Sequence, residues 1–298
     1  MGQQNLPLGK KLKSYIVFTK FRLAFSVVLS ALAGYLFADT NPSTNYLHIF
    51  YLLVGGMLVT AASNGSNQIW ERDLDKLMKR TEKRPIPIGT MSLREAYIVV
   101  IFALTLGTFL LYLIDFNAAL LGLFAYVSYV FIYTPLKRVT PWAVFVGAIP
   151  GAIPPMLGAV AATHEFGLLP GVLFFVQFMW QFPHFWAIAW VLYDDYKAGG
   201  FSLLPSKSGR SKASAFQIVI YSLALVPFSL LPWFLGWTGT VSLIVASIFS
   251  LAFFMYAYRL LQSCETKDAR KLMFASFVYL PIIQFLYVFD RIESALPN

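Results

Sequence analysis

Three carboxylates fall within five residues, Glu71, Asp73 and Asp75, and two more stand side by side, Asp194 and Asp195, in a chain with only 14 Asp and Glu. Asn67, Glu71 and Asp75 are spaced i, i+4, i+8. If the helix before them continues that far they share one face, and Asp73 points elsewhere. Like charges at this spacing repel, so the row has no value as structure alone. A divalent cation among them reverses that: Mg²⁺ takes hard oxygen ligands, commonly one or two carboxylates with water and substrate phosphates. Lys76, Lys79, Arg80, Lys83 and Arg84 follow directly and suit a polyanionic phosphate group. The plainer alternative is a solvated charged loop that anchors at a membrane surface.

The second acidic pair closes the segment QFPHFWAIAWVLYDD, with His184 inside its apolar run. An ionisable residue within a membrane span is costly and points to function by default; a buried, neutral, hydrogen-bonded histidine is the alternative. Between the two acidic segments lies YTPLKR, with Tyr133 and Lys137 at i, i+4. Alone it says little, because a lysine at a helix end often only snorkels to the interface. His48 and His164 fall toward the opposite ends of their helices and read as ordinary interfacial residues. Pro154 and Pro155 predict a kink that shapes a cavity without entering the chemistry.

The elements that position these residues are membrane helices. Of 298 residues 58% are hydrophobic and 12% charged, and the mean hydropathy is +0.66. A soluble domain has about 25% charged residues. A spanning helix needs about 20 mostly apolar residues, and irregular backbone cannot face lipid. Apolar runs between polar breaks predict nine spans, roughly 15–38, 46–69, 95–114, 117–134, 142–162, 168–192, 214–235, 239–260 and 271–289. They leave no room for a separate soluble domain, so 1–298 reads as one transmembrane domain. On this division every one of the 23 Lys and Arg except Arg291 falls on one face. Positive residues mark the cytoplasmic side, which predicts the N-terminus and the acidic loops inside and the C-terminus outside, and accounts for the net charge of +9. Both acidic loops lie on that face, four spans apart, each followed by basic residues and a Pro/Gly segment (84–89 and 205–209). This predicts two four-helix pseudo-repeats plus a ninth helix around a central cavity.

Other signals are negative. Cys264, the one cysteine, excludes an intrachain disulfide or a cysteine-based metal site. Lys10, Lys11 and Lys13 precede an apolar run as in a secretory signal, but Lys20 and Arg22 interrupt it, so an uncleaved first helix is expected. Leu6 breaks the myristoylation pattern. The basic residues are explained by topology, so nucleic-acid binding is not expected.

With these residues in view, the chain resembles the UbiA-type intramembrane prenyltransferases. Asn67, Glu71 and Asp75 match their N-x-x-x-D-x-x-x-D motif with Glu for the middle Asp, which lengthens that metal-binding arm by one methylene. Tyr133 and Lys137 match Y-x-x-x-K. His184 stands roughly where the second motif has an acidic residue, while Asp194 and Asp195 remain; Phe21 replaces the proline of a T-K-P-R segment, altering the helix entry. The likeness runs over nearly the whole chain, through NQIWERDLDKLMKRTEKRP, YTPLKR, GAIPGAIPPMLG and QFPHFWAIAWVLYDDYKAGGFSLLP, and is greatest to the branch that farnesylates protohaem IX.

That resemblance implies an enzyme of the bacterial cytoplasmic (inner) membrane with farnesyl diphosphate as donor, haem b as acceptor and haem O as product. It implies Mg²⁺ on Asn67, Glu71, Asp75, Asp194 and Asp195, and Lys79, Arg80, Arg84 and Lys137 neutralising the diphosphate. Tyr133 and His184 would contact substrate, His184 either as a ligand to haem iron or as a hydrogen-bond donor in the acidic constellation. It leaves room for contact with haem A synthase or oxidase assembly factors. Three rivals stand beside it. One is a relative acting on an aromatic acceptor such as hydroxybenzoate, against which the histidine argues. Another is a secondary transporter, whose polar residues should lie at the midplane on broken helices and not at one interface. The third is a non-catalytic assembly scaffold.

Overall fold

The structure, a computed structural model, describes residues 7–41 and 44–296; residues 1–6, where the lipidation pattern fails, lie outside them. Among the described residues nine helices are long and apolar enough to cross a membrane: Phe21–Ala38, Tyr46–Trp70, Leu93–Tyr112, Phe116–Leu136, Ala143–Thr163, Leu168–Val191, Lys212–Phe234, Thr240–Ser263 and Thr266–Phe289. We refer to them as the first to ninth spans. The expected all-helical architecture and the number of spans are borne out.

The first boundary differs from expectation. The continuous run from residue 15 is two helices, Leu8–Thr19 and Phe21–Ala38, broken at Lys20, whose φ of 49° is left-handed. A non-glycine residue there is uncommon and stays only where its surroundings hold it. The leading helix exposes Leu8, Leu12 and Ile16 on one stripe beside Lys10, Lys11 and Lys13, the pattern of a helix lying in the membrane interface. Phe21 takes the first helical position, which the family's proline would also suit.

Side-chain caps set other boundaries. The Ser92 hydroxyl accepts from the Glu95 N–H, three residues on, and starts the third span. Asp115 and Ser211 do the same for the fourth and seventh. Arg291, the one basic residue on the far face, donates to the Leu36 and Asp39 carbonyls at the end of the first span. A cation there satisfies orphan carbonyls and the helix dipole, so this exception to the charge pattern has a local cause.

The first and fifth spans pack backbone to backbone. A Cβ on Gly34 would overlap the Pro155 carbonyl, and one on Gly158 the Ala31 carbonyl. Small residues permit such approach where lipid supplies no hydrophobic drive between helices. The buried apolar residues form two clusters. One is built mainly from the first four spans with part of the fifth, the other mainly from the fifth to ninth. Between them lies a cavity of about 320 Å³ lined by every span except the seventh and eighth.

Candidate active site

The second span ends at Trp70, yet the row of donors continues in phase. The Glu71 N–H donates to the Asn67 carbonyl at 2.9 Å and the Asp75 N–H to the Glu71 carbonyl at 2.8 Å. The fourfold step therefore holds across the helix end. Asn67, Glu71 and Asp75 are all buried, while the Asp73 side chain is 69% exposed and pairs with Lys76 at 2.9 Å. The shared face is borne out, and Asp73 is not on it.

Each buried carboxylate has a cation. Arg84 Nη1 meets both Asp75 oxygens, at 2.8 and 2.7 Å. Lys137 Nζ lies 2.6 Å from Glu71 Oε1, with the rings of Tyr133 and Phe201 at 5.0 and 5.4 Å from it. Lys137 reaches this position because the fourth span widens into a π-helix over Ser128–Tyr133 just before it, a feature frequent at functional sites. Burial pushes the Asp75 carboxyl upward against the opposing pull of Arg84. Burial likewise lowers the Lys137 ammonium against the pull of Glu71. Taking either ion out of water costs several kcal/mol (order of magnitude), so each depends on its partner.

Lys20 joins this group, which its sequence position did not suggest. Burial, then the nearby cations Arg84, Lys137 and Arg80, hold its ammonium down to about 7. The only sequence signal was a lysine interrupting an apolar run. Tyr196 was missed as well. Arg80 lies 5.4 Å from its ring centre, which brings the two acidic loops together. Burial raises the Tyr196 phenol, while Arg80 opposes that rise.

The remaining predicted residues are less closely gathered. Asp194 is 82% exposed at its side chain and pairs with Arg210 at 3.1 Å; Asp195 is half-buried, and Lys79 is exposed. Among the described residues no three Asp, Glu, His or Cys side chains converge as a ready metal site. The Pro/Gly segments end in left-handed glycines, Gly89 (φ 77°) and Gly209 (φ 67°), and a Cβ on Gly209 would overlap the Tyr193 ring. His48 and His164 pair edge to face, 5.7 Å apart, away from the carboxylates.

Tyr133 also lines the cavity, with Asn64 one turn from Asn67, so the ionic cluster abuts the cavity. The lining is mainly apolar and aromatic, including Tyr129, Trp180, Phe185 and Phe277, with uncharged polar residues such as Ser30, Thr60 and Gln177, and among the described residues no Lys, Arg, Asp or Glu belongs to it. Its polar wall follows from the fifth-span prolines. Pro155 has no N–H for the Gly151 carbonyl, and the Gln177 and Gln181 amides donate to it instead, at 2.6 and 2.8 Å. His184 is on the same wall, stacked on Trp180 at 4.2 Å. It is a cavity residue and not part of the acidic cluster. About seven residues separate it from the end of its span, roughly 10 Å.

The UbiA prenyltransferase family matches residues 27–279. A protoheme IX farnesyltransferase of Cytophaga hutchinsonii is 46% identical over 286 residues, 96% of this chain and 100% of the relative. Among solved structures, a digeranylgeranylglyceryl phosphate synthase superposes with a TM-score of 0.78 at 20% identity, covering 94% of this chain and 98% of the other. A UbiA homologue from Archaeoglobus fulgidus bound to GPP and Mg²⁺ gives 0.65 at 16%, covering 92% and 99%. The chain is an integral membrane prenyltransferase that belongs to the UbiA prenyltransferase family.

Proposed function

We propose that this chain transfers the farnesyl group of farnesyl diphosphate to a vinyl group of protohaem IX, giving haem O. The observation that carries the reading is the junction of two environments at Tyr133, paired buried charges on one side and an uncharged aromatic cavity on the other. The donor molecule has the same division, a polyanionic head on an apolar tail. The near full-length likeness to a protoheme IX farnesyltransferase supports haem as the acceptor.

Asn67, Glu71 and Asp75 would hold Mg²⁺, with Asp194 and Asp195 as a second acidic arm from the neighbouring loop. The donor set fits, since two carboxylates and an amide oxygen are the hard ligands Mg²⁺ takes beside phosphate. The Asn67 amide nitrogen is turned to Thr134 Oγ1 at 3.4 Å, leaving its carbonyl oxygen for the metal. Bound there, Mg²⁺ neutralises charge on the leaving diphosphate. Lys137, Arg84, Arg80, Lys79 and Lys20 receive the diphosphate and stabilise its charge as the allylic C–O bond breaks. The cavity rings face the resulting carbocation, and aromatic faces attract a cation. The vinyl π electrons form the new C–C bond to farnesyl C1, water adds at the vinyl carbon left cationic, and a proton is released.

A small aromatic acid as acceptor would bury its carboxylate in a cavity with no cation, an expensive placement. Haem is wide enough for its propionates to stay at the interface. We place 1–298 as one domain in a bacterial cytoplasmic membrane, with N-terminus and acidic loops inside and C-terminus outside. Diphosphate release by purified protein tests the acceptor. Release dependent on haem supports the reading, and release dependent on hydroxybenzoate alone overturns it.

A further inference from the structure

His184 is buried and lines the cavity, and the Nδ1 edge of its ring is taken up by protein. Its Nδ1 lies 2.7 Å from the hydroxyl oxygen of Ser276 in the ninth span. Ser276, fully buried, donates its own hydrogen to the Met273 carbonyl at 2.6 Å. A hydroxyl has one hydrogen, so toward His184 the Ser276 oxygen acts only as an acceptor. The proton between them therefore belongs to Nδ1. No carboxylate lines the cavity to support an imidazolium, so the ring is neutral and Nε2 keeps a bare lone pair. Among the described residues no group hydrogen-bonds Nε2.

The ring is also held still. Trp180 stacks on one face, and its indole N–H donates to the Ser276 carbonyl at 3.2 Å, while Phe277 meets the ring edge to face at 5.2 Å. Such an arrangement suits a metal ligand better than a proton carrier. The chain Nδ1–H, Ser276, Met273 ends at a helix carbonyl, which cannot take up and pass on a proton. A ligating histidine, by contrast, characteristically donates its other N–H to a fixed acceptor, which sets its tautomer and orientation.

We propose that Ser276 is a positioning residue that fixes His184 in the Nδ1–H tautomer, so that Nε2 binds the iron of the haem acceptor. The inference rests on haem being the acceptor. Iron held at His184 fixes the macrocycle on the cavity wall about 10 Å below the cytoplasmic end of its span, which sets how far its vinyl groups stand from the ionic cluster.

The test is titration of detergent-purified protein with ferric haem b, read by Soret absorption and electron paramagnetic resonance. Farnesyl diphosphate binding is measured on each variant as a readout that the ionic cluster is intact. Wild type should show a histidine-ligated spectrum. His184→Gly should lose it and regain it with added imidazole. Ser276→Ala should weaken haem binding by about tenfold or more with farnesyl diphosphate binding unchanged, and Ser276→Thr should restore it. If Ser276→Ala does not fold, the His184→Gly and imidazole pair decides. A histidine spectrum surviving in His184→Gly without imidazole, or unchanged haem affinity in Ser276→Ala, overturns the inference while haem farnesylation still stands. A wild type that neither binds nor farnesylates haem overturns both.

Discussion

Asp75 is fully buried, and Arg84 holds both its oxygens through one nitrogen, with only 12% of the Arg84 side chain exposed. Arg84→Ala leaves that carboxylate buried without its cation. Breaking one side of a buried pair costs about 3–5 kcal/mol, most of it the stranded charge and not the lost attraction. For a domain of this size the melting temperature should fall by on the order of 10 °C. Asp75→Asn in the Arg84→Ala background removes the stranded charge, so the double variant should recover most of the loss. A double-mutant cycle should give a coupling of about 3 kcal/mol, the upper end for residues in contact. Burial already raises the Asp75 carboxyl, and losing Arg84 raises it further. The native state then binds the proton more tightly than the unfolded chain, so the deficit of Arg84→Ala should shrink as pH falls through the native pKa and be full above it. Thermal unfolding followed by tryptophan fluorescence in detergent, at several pH values, measures all of this. A single variant as stable as wild type, with coupling below about 0.5 kcal/mol, would refute the dependence of Asp75 on Arg84.

The close approach of the first and fifth spans makes Gly158→Ala overpacked, at the upper end of about 1–3 kcal/mol; an unchanged melting temperature would mean that the helices can part cheaply. Asp194 is exposed and already paired with Arg210, so Asp194→Asn should slow prenyl transfer less than Asp195→Asn; the reverse order in kcat/KM would place the second metal arm at Asp194. Lys20, held at about 7, should regain its proton when a diphosphate binds. Affinity for farnesyl diphosphate should then weaken by up to about tenfold per pH unit above 7, and Lys20→Arg, always charged, should flatten that slope. An equal slope in both would remove Lys20 from the diphosphate site.

Sequence alone carried the architecture far because lipid imposes a simple rule of long apolar runs with polar breaks, and because 22 of the 23 cations mark one face. The row Asn67, Glu71, Asp75 was readable from its fourfold spacing, which survives past the helix end at Trp70. What escaped was set by tertiary contact. The break at Lys20 depends on surroundings that stabilise a left-handed lysine, and no local propensity announces it. Tyr196 and Phe201 matter because a neighbouring loop supplies Arg80 and Lys137. Ser276 is one serine in an apolar span, and only the packing of the ninth helix on the sixth gives it His184. Asp194 shows the converse: it is adjacent to Asp195 in sequence, yet the fold leaves it exposed and paired with Arg210.

Whether this chain farnesylates haem is decided by incubating purified protein with protohaem IX, farnesyl diphosphate and Mg²⁺ and weighing the haem product by mass spectrometry. We expect a Mg²⁺-dependent product heavier than haem by one farnesyl and one hydroxyl group, reduced by about 10²-fold or more in Asp75→Asn. Folded wild-type protein that yields no such adduct would rule out haem farnesylation, and Asp75→Asn that yields it at the wild-type rate would remove Asp75 from the metal site.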